Sequence, residues 1–151
     1  MVAFDSLDAL RAFVGQSVTS EAIVIDQPTI NGFADVTGDH QWIHVDPVRA
    51  AAESPYKTTI AHGFLTLSLL PASYNTCFSF PNRKMAVNYG LDRVRFTGPV
   101  PSGSPVRGSF TLEKVDDLGP GEARCTWKAE VRVVGAERPA LVALWLVQIR
   151  Y

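Results

Sequence analysis

The most chemical stretch of the sequence is Phe33-Ala34-Asp35-Val36-Thr37-Gly38-Asp39-His40-Gln41-Trp42-Ile43-His44-Val45-Asp46-Pro47. Gly38 and Pro47 bracket its core, so the residues between them read as a loop or irregular turn, where acid-base groups are commonly displayed. Asp39 and His44 lie five apart, and in a loop a carboxylate and an imidazole at that spacing can converge on one small volume. Such a pair can trade a proton through a bound water, which is what adding water across a double bond requires. On spacing alone the two also fit ordinary surface residues.

His40 and His44 have the i, i+4 spacing of two metal ligands on a helix. The helical zinc motif needs Glu directly after the first His, where Gln41 stands, and Gly38 works against a continuous helix, so no metal is expected. A G-x-S-x-G nucleophile motif and a glycine-rich phosphate loop are both lacking, and neither Cys77 nor Cys125 has a His near it in sequence. A third element is Ile60-Ala61-His62-Gly63-Phe64-Leu65, at the start of an apolar helix. A helix N-terminus presents N–H groups with partial positive charge, and Gly63 has no Cβ to hold a carbonyl away. That is the donor an enolate-like oxyanion needs. The alternative is a glycine chosen for tight packing, with His62 as a helix cap.

The elements that must position these residues fall into two halves. Residues 1 to about 80 show helical periodicity with loop signals, and from about 84 onward polar and apolar residues alternate as in antiparallel strands. Ser17 to Ile25 is expected as one strand, and Asp26 as the N-cap of a short helix carrying Ile30, Phe33 and Ala34 that ends at Gly38. His62 to about Cys77 is apolar nearly all round, which predicts an enclosed helix, kinked or shortened by Pro71. Strands are expected over about Met85 to Phe96, 106 to 113 and 123 to 133, with the turn formers Asp116 to Gly121 closing a hairpin. Ala140 to Val147 is apolar on both faces, as in a central strand or one covered by a partner. A sheet curled around one buried helix, an α+β architecture, follows.

As a set these residues resemble a family. "FADVTGDHQWIHVDPVRAAAES" followed by "TTIAHGFLTLSLLP" is similar to the signature of the MaoC-like dehydratases, the (R)-specific enoyl-CoA hydratases with a hot-dog fold. "MAVNYGLDRVRFTGPVPSGSPVR" resembles the nodulation protein N-like branch, and together the blocks span about Phe33 to Arg107. The resemblance implies that Asp39 and His44 are the catalytic pair and that the Gly63 N–H faces a thioester carbonyl. The activity implied is reversible syn hydration of a trans-2-enoyl thioester to the (3R)-3-hydroxyacyl thioester, without a cofactor. A hot-dog thioesterase, or a non-catalytic acyl-binding protein, is the alternative.

One departure is visible. Short-chain hydratases place a serine in the long helix where this chain aligns Pro71, flanked by Ser68 and Ser73, which leaves Ser68 as a substrate-binding candidate. Asn88 is a polar residue inside a strand pattern, either facing the pocket or turned outward at a bulge. Arg83, Lys84, Arg93 and Arg95 either meet coenzyme A phosphates or are solvated strand-end charges. Beyond Pro71, the small residues Ala72 and Ser73 suggest room for an acyl tail.

Composition agrees with this class. A length of 151 residues suits one domain, here residues 1–151, and 46% hydrophobic against 19% charged residues can form a packed core. Fourteen Lys and Arg against fifteen Asp and Glu give a charge of -1, too little to gather phosphate backbones or anionic lipid, so neither nucleic acid nor membrane is expected as a partner. The N-terminus does not read as a signal peptide, and two cysteines without C-x-x-C spacing read as buried thiols in a reducing cytoplasm. The expected partners are an acyl-CoA or acyl carrier protein thioester and a second copy of the chain, since one helix cannot cover a five-stranded sheet.

Overall fold

The computed structural model describes residues 1–151. The chain opens with β1 (Val2–Ala3), α1 (Leu7–Ala12) and the short strands β2 (Ser17–Thr19) and β3 (Ile23–Ile25). The single strand expected over Ser17 to Ile25 is two. Thr19 faces Ser109 but Ile23 faces Val106, so the first strand carries one residue too many for its partner. Ser20 absorbs the excess: its N–H donates to the Gly108 carbonyl and its hydroxyl accepts from the Gly108 N–H. This is bulge geometry, set by a strand far along the chain.

Helix α2 (Gln27–Thr37) starts and stops as its sequence dictates. The Asp26 carboxylate accepts from the Thr29 N–H at 2.9 Å, and Gly38 closes the helix with φ 78, the left-handed region where glycine carries no steric penalty. The following segment contains one helical turn, α3 (Trp42–Val45), and then α4 (Pro47–Glu53), capped by Asp46.

The helix expected over His62 to Cys77 divides into α5 (Gly63–Ser68) and α6 (Leu70–Cys77), and the break falls at Leu69, ahead of Pro71. Proline is well tolerated in the first turn of a helix, so Pro71 starts α6 and does not loosen it. Nor is the helix enclosed. Leu65, Leu70, Ser73, Tyr74 and Cys77 are buried, whereas Phe64, Ser68, Ala72 and Asn75 form an exposed stripe.

After β4 (Phe78–Ser79), which pairs in parallel with β1, the main sheet is built from β5 (Met85–Phe96), β6 (Ser104–Gly119), β7 (Glu122–Val133) and β8 (Leu141–Arg150). Its order is β2-β6-β7-β8-β5, all antiparallel, with β3 also on β6. The alternation of β6 and β7 puts Phe110, Leu112, Cys125 and Trp127 in the core, and α6 lies against this face. There the Tyr74 ring meets Trp127 edge-on at 5.0 Å and Trp145 at 5.4 Å.

The doubly apolar β8 is central, between β7 and β5. Beyond it β5 forms the edge, with Met85, Val87, Tyr89 and Leu91 exposed. Cys77 and Cys125 are free and buried, and burial pushes the Cys125 thiol up to about 12. No helix is long and apolar enough to cross a membrane.

Candidate active site

His44 stands in α3 with its ring turned inward, 7% exposed. Its Nδ1 lies 2.7 Å from the Ile60 carbonyl oxygen. A carbonyl can only accept, so Nδ1 carries the proton and Nε2 keeps a free lone pair. Burial, more than any other influence, pushes the His44 pKa down, with the neighbouring His62 acting in the same sense and the Ile60 carbonyl and Asp39 opposing it. The ring is therefore a neutral base at neutral pH.

Several bonds stitch this turn to the strand-like segment before α5. The Ile60 N–H donates to the Ile43 carbonyl at 3.0 Å, and the Gln27 side-chain amide donates to the His44 carbonyl at 2.7 Å. The buried Thr59 hydroxyl in turn donates to the Gln27 oxygen.

Asp39 follows the left-handed Gly38, and its side chain is 54% exposed. Ligating atoms of Asp39, His44 and His62 all lie within 4.8 Å of one another. The spacing of Asp39 and His44 thus does bring them to one place. His62 joins them: its ring stacks on His44 at 3.8 Å between centroids, with the planes 25° apart. His40, by contrast, turns to Asp35 at 3.0 Å on the surface, which raises its pKa. The i, i+4 histidines therefore face different ways.

Asp39, His44 and His62 are the donors that a metal would need. Ring lone pairs lie in the ring planes, and planes this nearly parallel cannot both aim at one ion about 2.1 Å away. Nδ1 of His44 and Nε2 of His62 are also engaged by the carbonyls of Ile60 and Asp39. The cluster suits proton transfer.

His44 opens onto a cavity of about 430 Å³ whose wall includes Tyr56, Gly63, Thr66, Phe96 and Pro99. Gly63 is the first residue of α5, with His62 at the cap position but making no side-chain cap bond. A Cβ on Gly63 would meet the Phe96 ring at 2.8 Å, so any larger residue there requires that ring, itself 45% exposed, to move. Ser68 and Asn88 do not join Asp39 and His44. They line a separate cavity of about 320 Å³ with Leu67, Leu70, Pro71, Leu91 and Trp145. Arg93 lies elsewhere again, beside Glu113 and Lys128 against Val142 and Leu144, at a left-handed φ of 54 within a register shift of β5. Ala72, expected beside an acyl tail, is exposed and lines neither cavity.

Sequence reasoning missed His62 as more than a cap, and missed Gln27, Thr59, Phe96 and Tyr56. His62 carried a signal, a titratable residue directly before the helix-initiating glycine. Phe96 carried none, because only the fold brings the end of β5 to Gly63.

The family model described as a MaoC like domain matches residues 10–132. The chain is 49% identical over 149 residues to 3-hydroxyacyl-thioester dehydratase Z of Mycobacterium tuberculosis, covering 98% of each. It is 47% identical over 148 residues to Nodulation protein N of Rhizobium leguminosarum bv. viciae, covering 97% of this chain and 92% of that one. Among solved structures, the R-hydratase PhaJ1 from Pseudomonas aeruginosa superposes with a TM-score of 0.70 at 24% identity, covering 91% of this chain and 81% of that one, a likeness of fold. The chain belongs to the MaoC-like dehydratase family, and its sheet and central helix are the α+β hot-dog fold. It is a hydratase/dehydratase of the MaoC type, similar to both the mycobacterial dehydratase and the nodulation protein.

Proposed function

We propose that the protein is an (R)-specific enoyl-thioester hydratase, adding water reversibly and on one face to a trans-2-enoyl-CoA to give the (3R)-3-hydroxyacyl-CoA. The observation that carries this reading is the Nδ1–H bond of His44 to the Ile60 carbonyl, which leaves Nε2 with a free lone pair on a ring that lines the cavity and has a nitrogen within 4.8 Å of an Asp39 carboxylate oxygen. Asp39 and His44 hold one water between them. Nε2 of His44 draws its proton as the oxygen adds to C3, and the pair returns a proton to C2 on the same face. The charge that grows on the thioester oxygen is met by the Gly63 N–H at the start of α5. These groups carry every step, so no metal or redox cofactor is needed. Ser68 and Asn88 would contact the acyl part only if its tail extends along α5 to the second cavity, and Arg93 would contact coenzyme A only if the substrate reaches the outer sheet face.

The 3-hydroxyacyl-thioester named for the mycobacterial relative supports an acyl thioester as substrate here. The protein works as a single-domain cytoplasmic homodimer. The support for a dimer is the open edge of β5, with its exposed Val87, Tyr89 and Leu91, beside the exposed stripe that includes Phe64 and Ala72. An ultraviolet assay with crotonyl-CoA and longer enoyl-CoAs tests the function. Loss of the enoyl absorbance with the thioester intact supports hydration. Release of free thiol would make the protein a thioesterase, and binding without turnover an acyl carrier.

A further inference from the structure

His62 belongs to no step of the chemistry above, yet it is built into the site. Its side chain is 3% exposed. It occupies the cap position of α5, where Ser, Thr, Asp or Asn would satisfy the first N–H groups, but its ring makes no cap bond. The ring turns instead to the loop before α3, where Nε2 lies 2.9 Å from the Asp39 carbonyl oxygen. That oxygen only accepts, so Nε2 carries the proton and donates it. The other nitrogen, Nδ1, is buried without a hydrogen-bond partner.

Two contacts account for the histidine. One face lies on the His44 ring at 3.8 Å, and Phe33 packs against it at 5.0 Å. Asp39 has little else to hold it: the only hydrogen bond to its carboxylate is a long one, 3.4 Å, from the Gln41 N–H. We propose that His62 is a positioning residue of the hydration site, which fixes the Asp39 main chain through Nε2–H and the His44 ring plane by stacking, so that carboxylate and base face the same water. This inference rests on the hydratase reading.

Two variants separate the contacts. His62→Phe keeps a flat ring against His44 but has no donor for the Asp39 carbonyl, whereas His62→Gln keeps an amide N–H at similar reach and loses the ring. Misplacement of a catalytic group by about 1 Å costs about 10²-fold in rate. With enoyl-CoA, His62→Phe is expected to lower kcat by that order and to move KM by less than about threefold, while His62→Gln recovers at least about tenfold of the loss. Amide hydrogen exchange supplies a readout independent of turnover. In His62→Phe the amides of Asp39 to Gln41 should exchange faster, while those of the β6–β7 hairpin stay protected.

A folded His62→Phe with kcat within about twofold of the parent, or with unchanged exchange at Asp39 to Gln41, overturns the proposal. So does a folded His62→Gln no better than His62→Phe. Should His62→Phe fail to fold, His62→Ala, which has neither donor nor ring, replaces it in the comparison: His62→Gln at least about tenfold faster than His62→Ala supports positioning, and His62→Ala within about twofold of the parent, or His62→Gln no better than His62→Ala, contradicts it. A parent protein that hydrates no enoyl thioester would sink the hydratase reading, and exchange at Asp39 to Gln41 would still judge His62.

Discussion

The Phe96 ring lies against the Cα of Gly63 so closely that a Cβ at that position would sit 2.8 Å from its Cγ. The end of β5 thus roofs the start of α5, and a second aromatic, Phe64, meets Phe96 edge-on at 5.5 Å. The close packing that the sequence left open as the alternative reading of Gly63 is present here. Gly63→Ala should destabilise the fold by about 1–3 kcal/mol through overpacking. In the double variant with Phe96→Ala the ring is gone and the alanine N–H remains, so stability should return to that of Phe96→Ala alone. A double-mutant cycle by chemical denaturation reads the coupling, and additive effects would show that the ring simply swings away.

The pH dependence follows from His44. Burial holds its pKa below the ordinary histidine value, so the neutral base persists to lower pH than a solvated imidazole would. As pH falls, the midpoint of the drop in kcat/KM should lie below the ordinary histidine value of about 6.5, with one proton gained on the acid limb. Stopped or continuous assays across that range check it, and a limb centred above the ordinary value would mean that His44 is not the base.

The open β5 edge predicts a homodimer. Light scattering at micromolar concentration should give about twice the chain mass of 16.5 kDa. A lysine at Leu91 or Val87 places a charge on that edge and should shift the mass toward the monomer. A monomeric parent, or a dimer indifferent to both substitutions, contradicts the assignment of this edge.

Acyl length tests the second cavity, beside Pro71 and Leu91. Each buried CH₂ contributes up to about 0.8 kcal/mol of binding, so octenoyl-CoA should exceed crotonyl-CoA in kcat/KM by several tens-fold, less the entropy lost by the tail. Ser68→Phe, which fills that cavity, should weaken the bias. Steady-state kinetics over four to twelve carbons decide it, and a preference that falls from four carbons upward contradicts a tail channel.

What the sequence made legible was local or periodic. Asp26 and Gly38 bound α2 because a cap and a left-handed glycine act within one turn, and the alternation of β6 and β7 separates core from solvent residue by residue. The convergence of Asp39 and His44 was legible because only five positions separate them, but it was the family resemblance, and not the spacing, that singled them out as a pair. The bulge at Ser20 was not legible, since it arises from the register against β6. The helix expected to be enclosed is not, because Phe64 and Ala72 are apolar yet exposed, and apolarity all round does not by itself bury a face. His62 and Phe96 reach the site through tertiary contacts that spacing cannot encode.

Turnover of crotonyl-CoA and octenoyl-CoA by the parent, Asp39→Asn and His44→Gln, followed at the enoyl absorbance with the chirality of the product assigned, tests the central claim most directly. The parent should form the (3R)-3-hydroxyacyl-CoA, and each substitution should lower kcat by about 10² to 10⁴ with the folded circular dichroism spectrum retained. Near-normal turnover by either variant, or a (3S) product from the parent, would contradict the account.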